Sequence, residues 1–417
     1  MTVDNAAIQT QSETSSLQPG RAWLVLLGAS LCIFGGNAAV PYYTFGVFLP
    51  EILADTGWSG PAVAAAVGPG LLAAAVMAPL AGMASDRFGV RSIILFGAPA
   101  IAFGFAVLGL FTSGVNSFVA ATILAHVLYF AGSPVPHARM LAGWFDKRRG
   151  LALSTMFASG SIGIAIWPQY AALLIEHLGW RHAYVTMGLS AACLILFAGI
   201  FLLKDPRRAP ASMEATPSNA VPGLLLGEAL RTSRFWKLCA IFLVLTAVLG
   251  GTAVVFPVIL RMQGADPATA ASIMSVIGIA MFVGRLALGL LLDRWFAPLI
   301  TIGITLIGMM AFAIMAVSTS SPALILSAAF LGFGLGSEYA VTAYLTSRAF
   351  GVRAFGSIYG LITAATSVGA ALGPALLGAA LVSSVSLGTI AAVALGVLGV
   401  PIILLLTISR NDLPFQQ

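Results

Sequence analysis

Between residues 23 and 408 the chain is a succession of apolar runs, each near or above the twenty residues that span a bilayer, with almost all charge confined to the breaks between them. In hydrocarbon no water is available to a backbone N–H or C=O, and an α-helix satisfies those groups within one segment. The runs lie near 23–49, 61–83, 92–112, 117–140, 149–175, 182–203, 235–260, 268–291, 298–317, 322–346, 354–381 and 386–408. Only 8 % of residues are charged, against about 25 % in soluble domains, which excludes a soluble fold. The expected fold class is an all-α membrane protein, with twelve transmembrane helices in two pseudo-symmetric six-helix bundles around a central cavity. The long polar break at 204–234 sets the expected organisation: a tail at 1–22, bundles at 23–203 and 235–408 joined by this linker, and a second tail at 409–417.

Charge sets the expected orientation. With the N-terminus in the cytoplasm, the inside breaks hold Arg87, Arg91, Lys147, Arg148, Arg149, Lys204, Arg207, Arg208, Arg231, Arg234, Lys237, Arg294, Arg353 and Arg410, and the outside breaks only Arg181 and Arg261. Both termini are expected in the cytoplasm, in a multi-pass protein of the inner (cytoplasmic) membrane. Residues 1–20 are polar, so no cleavable export signal is expected there. The net charge of +6 is thus a topological signal, and no basic soluble face supports nucleic-acid binding. The expected partners are the lipid bilayer and a small solute, with the chain a monomer.

The two halves repeat each other. Pro61 and Pro267 open corresponding runs 206 positions apart (267 − 61). Gly82 and Asp86 answer Gly289 and Asp293 at an offset of 207 (293 − 86), and Gly163 and Pro168 answer Gly369 and Pro374 at 206 (374 − 168). This is a duplicated six-helix unit.

Two ionisable residues break the symmetry. Arg285 lies eight positions before Asp293, so at about 1.5 Å per residue it sits roughly 12 Å inside the helix end. Its counterpart (285 − 207) is Ala78. A cation at that depth marks a substrate path, a structural pair with Glu338, or a snorkelling anchor, and its planar fork matches a carboxylate. Glu338, whose counterpart (338 − 206) is Gly132, reads either as a proton or gating group or as half of a buried pair. Asn37, Tyr42, Tyr43 and Tyr339 are candidate cavity residues, because hydrogen-bonding groups facing lipid are costly. His126 reads as an interhelical hydrogen-bonding residue or a proton carrier. Cys32, Cys193 and Cys239 have no paired spacing, no histidines have metal-ligand spacing, and no phosphate-cradling glycine–lysine loop occurs. No cofactor and no enzymatic activity are expected.

The segment from Gly82 through Asp86, Arg87 and Gly89 to Arg91 resembles the loop between helices two and three of the major facilitator superfamily, and Gly289 to Arg294 is its weaker copy. The resemblance implies a gating motif: Gly82 allows close helix approach, while Asp86 and Asp293 pair with cations at neighbouring helix ends, for which Arg139 and Arg348 are candidates. A narrower similarity joins Pro41 to Glu51, Gly284-Arg285-Leu286, Gly334 to Glu338, and Arg353 to Gly360 to the monocarboxylate transporter family and its bacterial relatives, the oxalate:formate exchanger group. It implies transport of a small organic acid, with Arg285 holding the substrate carboxylate. Proton-coupled members keep a lysine in helix one and an acid one turn before that arginine; this chain has Tyr42 or Tyr43 and Met281. Facilitated diffusion, exchange, and proton symport through Glu338, His126 or His137 therefore all stay open, as does a drug or sugar substrate.

Overall fold

The computed structural model describes residues 19–36, 44–205, 222–318, 320–383 and 385–415. Every regular element among them is helical, apart from an isolated antiparallel bridge between Gly223 and Gly351. The first pass is Pro19–Gly36, with Phe45–Thr56 beyond residues 37–43. The second to fourth are Gly60–Phe88, Val90–Leu110, and Val115–Leu128 continued by Pro134–Trp144. Residues 149–178 and 180–202 form the fifth and sixth. In the second half follow Ser233–Met262, Pro267–Leu292, Ala297–Val317, Ser321–Phe350, Phe355–Val382 and Leu387–Leu406.

Among the described residues nine helices are long and apolar enough to cross a membrane. One of them, Arg149–Leu202, is two passes joined at Gly179, and the shorter apolar helices Gly20–Gly36 and Val115–Leu128 bring the runs to twelve. The expected break between 175 and 182 is thus a single non-helical residue, Gly179, whose φ of 72° favours glycine. Several helices start by one local rule. Ser59, Ser133 and Ser320 are extended, and a proline follows in the first turn, where its missing N–H would have had no partner.

The same rule breaks the fourth pass. A 3₁₀ turn at Tyr129–Gly132 ends its upper part and Pro134 opens the lower part. The tenth pass is interrupted at Ser337, between Ser321–Gly336 and Glu338–Phe350, at the position the 206-residue repeat assigns to that turn. Both halves therefore carry an irregular backbone segment at matching depth, and the two lie beside the space between the bundles.

Two helix pairs stitch the halves together: the second pass against the eleventh, and the eighth against the fifth. These seams are tight enough to require glycine. A Cβ on Gly82 would stand 1.9 Å from the Gly356 carbonyl oxygen, and one on Gly289 would stand 2.7 Å from the Ser154 Cβ.

Candidate functional site

Between the two broken helices lies a cavity of about 190 Å³. The second and fourth passes contribute Met77, His126, Tyr129 and Ser133, the fifth Phe157, the tenth Tyr339, and the eleventh Thr363 and Ser367. Its size is below the range of drug-sized pockets, about 300 Å³ upward, and suits a small solute. The His126 ring donates its Nδ1–H to the Thr122 carbonyl at 2.8 Å, and its Nε2 is buried without a hydrogen-bond partner. Thr363 and Ser367 donate to carbonyls one turn back, at 2.8 and 2.9 Å, which leaves their oxygens as acceptors. Of the residues expected at the cavity, Tyr339 lines it, while Asn37, Tyr42 and Tyr43 lie outside the described residues; His126, expected as an interhelical hydrogen-bonding residue or a proton carrier, lines it as well. Thr363 and Ser367 were not anticipated, although two hydroxyls one helical turn apart in an apolar run are a readable sign of an inward face.

Arg285 is 3 % exposed and does not line the cavity. Its Nε donates to the Gly336 carbonyl at 3.0 Å, where the tenth pass breaks. Its Nη1 reaches across the seam to the fifth pass, donating to the Phe157 carbonyl at 2.8 Å and to Ser161 Oγ at 2.5 Å. The Phe157 ring stacks on that of Tyr339 at 5.8 Å, and both residues form the cavity wall. The guanidinium therefore stands behind the wall and bonds both halves at once.

Glu338 faces elsewhere. Its carboxyl is within hydrogen-bonding contact of the Thr246 hydroxyl in the seventh pass, and Oε2 is buried without a hydrogen-bond partner. A space of about 10 Å³ adjoins it, bordered by Thr301, Thr305 and Ser337. None of these bonds makes the alternative Arg285–Glu338 pair. The hydrogen bonds of the cation run to the break of the tenth pass and across the seam, and that of the acid to the seventh pass.

At the basic end the halves are sealed. Asp86 pairs with Arg139 as expected. It also caps the eleventh pass across the seam, accepting from the Gly356 N–H at 3.1 Å, the Ser357 N–H at 2.7 Å and the Ser357 hydroxyl at 2.6 Å. Asp293 does the same for the fifth pass, accepting from the N–H groups of Gly150 and Leu151 at 2.7 and 2.9 Å. Burial raises the Asp293 carboxyl above the ordinary aspartate range, and these two donors draw it back.

Arg348 corrects the expectation that it pairs with Asp293. It bridges to Asp146 at 2.7 Å instead, and Asp146 also meets Arg149 at 3.3 Å. The reason is geometric: both oxygens of Asp293 are turned onto the end of the fifth helix, so the arginine takes the acid of the preceding loop. Arg348 Nη1 further donates to the Phe415 carbonyl at 3.0 Å, which ties the C-terminal segment to the seal. Arg91 donates to the carbonyls of Gly199 and Ile200 at the end of the sixth pass, at 2.9 and 3.0 Å. Arg87 lies over the Phe88 ring, and Arg294 is exposed.

A family model described as "Major Facilitator Superfamily" matches residues 26–374. The MFS-type transporter YhjX of Escherichia coli (strain K12) is 28 % identical over 83 % of this chain and 85 % of its own length. Monocarboxylate transporter 13 of Bos taurus is 27 % identical over 86 % and 82 %, and the gallate transporter of Pseudomonas putida 24 % identical over 85 % and 87 %. Among solved structures, the proton:xylose symporter XylE superposes with a TM-score of 0.71 at 14 % identity, covering 93 % of this chain and 95 % of that one. The human organic anion transporter MFSD10 does so at 0.69 and 16 %, covering 92 % and 98 %. The chain belongs to the major facilitator superfamily and is a multi-pass membrane transporter, not an enzyme.

Proposed function

We propose that this transporter carries a small, monocarboxylate-like organic anion across the inner membrane by alternating access, with its basic end and both termini in the cytoplasm. The observation that carries the reading is Arg285, a guanidinium buried at the seam of the two bundles, one residue behind the wall of a small cavity. A carboxylate entering between Phe157 and Tyr339 would meet a planar, charged donor set and replace its bonds to neutral oxygens with stronger charge-assisted ones. The same bonds hold the fifth pass to the eighth, so binding would loosen one seam as it engages the solute. Relatives named for monocarboxylates and gallate support the substrate class. The excess of lysine and arginine at the sealed end supports the orientation.

The test is uptake of labelled lactate, pyruvate, acetate, oxalate and aromatic acids into proteoliposomes. Loss of a bidentate charged contact, about 2–4 kcal/mol, predicts that Arg285→Ala lowers transport efficiency at least about 30-fold, with Arg285→Lys recovering only part of it. Uptake of none of these acids by folded wild-type protein would sink the reading. A cavity whose polar lining consists of hydroxyls and one histidine, with no arginine or lysine, favours a sugar as the second reading. In that case sugar uptake would survive Arg285→Ala.

A further inference from the structure

Glu338 is a carboxyl group at membrane depth that the substrate path does not use. It is 5 % exposed and contacts Thr246 of the seventh pass, and the space beside it is bordered by Thr301 and Thr305 of the ninth pass and Ser337 of its own tenth pass. No Asp, Lys, Arg or His lines that space. The eleventh pass brings Tyr359 within electrostatic reach, and the eighth brings Arg285 to the Gly336 carbonyl, two residues before the acid.

Two arrangements of hydrogens are open around Thr246, and burial distinguishes them. Its hydroxyl oxygen lies 2.7 Å from the Phe242 carbonyl oxygen and also contacts Glu338 Oε1. A threonine hydroxyl has one hydrogen to give. With that hydrogen on the carbonyl, the second contact needs a hydrogen from Glu338, so the chain runs from the carboxyl O–H to Thr246 and on to Phe242. An ionised Glu338 would instead take the Thr246 hydrogen away from the backbone, and its Oε2, which has no hydrogen-bond partner, would carry unscreened charge.

The backbone on both sides is built to respond. The seventh pass makes a π-turn over Thr246–Gly250, starting at the residue that contacts the acid, and the tenth pass is interrupted one residue before it. Within Gly336–Tyr339, one residue holds Arg285, one carries the acid and one forms the cavity wall. We propose that Glu338 is the proton-binding site of the transport cycle. It takes a proton from the outer solution as an O–H bond on its carboxyl and releases the same proton at the basic side, with no other bond made or broken. The inference rests on the transport reading above. A proton fits where a hydrated metal ion does not, because the space beside the acid is about 10 Å³ and holds at most a water.

Two measurements on the full-length protein test this. Infrared difference spectra between alkaline and acid pH are expected to show the carbonyl stretch of a protonated carboxyl, absent in Glu338→Gln and moved in pH midpoint in Thr246→Val. In proteoliposomes with lactate and gallate as probes, Glu338→Gln is expected to lose accumulation driven by an inward proton gradient at least about tenfold, while counterflow exchange stays within about twofold. The absence of any Glu338-dependent band would overturn the proposal, as would undiminished accumulation, or equal loss of exchange at unchanged thermal stability. Should Glu338→Gln fail to fold, the wild-type band and its response to Thr246→Val decide. Should wild type carry neither acid, the substrate reading fails and the infrared result still decides on Glu338.

Discussion

Removing the Asp86 carboxylate should unseal the basic end, and the structure sets the size of the effect. Of its contacts, the one with Arg139 joins two passes of the same half and survives opening. The three that cross the seam come from the Gly356 N–H, the Ser357 N–H and the Ser357 hydroxyl. On opening, water replaces each of them, so the net loss is nearer about 1 kcal/mol apiece than the full strength of a charged hydrogen bond. About 3 kcal/mol shifts a two-state equilibrium roughly 100-fold toward the open form. Asp86→Ala should show the whole shift, and Asp86→Asn, which keeps one acceptor oxygen and no charge, about half of it in free energy. Spin labels on cysteines at Phe88 and Arg353, both exposed and on opposite sides of the seam, report the separation by electron–electron resonance in a background without the three native cysteines. A distance distribution in Asp86→Ala that matches wild type would refute the argument that the helix cap holds the seal.

Three further outcomes follow from the same geometry. Gly82→Val should express but fail to seal, since its Cβ alone would stand 1.9 Å from a carbonyl oxygen; transport with wild-type efficiency would contradict this. Arg348→Ala removes the bond to Asp146 and the hold on Phe415, and should cost about 1–3 kcal/mol, read as a lower melting temperature, with faster amide exchange in residues 409–415. Asp412 has its carboxyl held below the ordinary range by the Ser409 N–H and hydroxyl, with Lys237 and Arg234 adding to this. Its contribution to docking the C-terminal segment is therefore present above the ordinary aspartate range and is lost as pH falls through its lowered value, so amide exchange at Ser409 should quicken only at acid pH.

Much of the fold was readable because a bilayer permits few solutions, whereas the interruption of the tenth pass at Ser337 was not anticipated. The Asp86–Arg139 pair was equally legible, since both residues sit at helix ends whose levels the loops define. What sequence spacing does not carry is rotation about the helix axis. Arg285 and Glu338 were singled out by their distance from the helix ends, but their directions were not: Glu338 contacts Thr246 within its own bundle, while Arg285 bonds across the seam behind Phe157. The partner of Arg348 was missed for a related reason. Asp146 sits in a loop, where no periodicity announces which side chain will meet which helix end.

The reciprocal caps have a mechanical consequence. Asp86 of the first half holds a helix of the second, and Asp293 of the second holds a helix of the first, so the closed end is fastened at two points related by the pseudo-twofold. Two fasteners define a line, and a body released at one of them swings about the other. Opening then need not break both clasps in a single step: whichever yields first becomes a free edge, and its twin serves as the hinge.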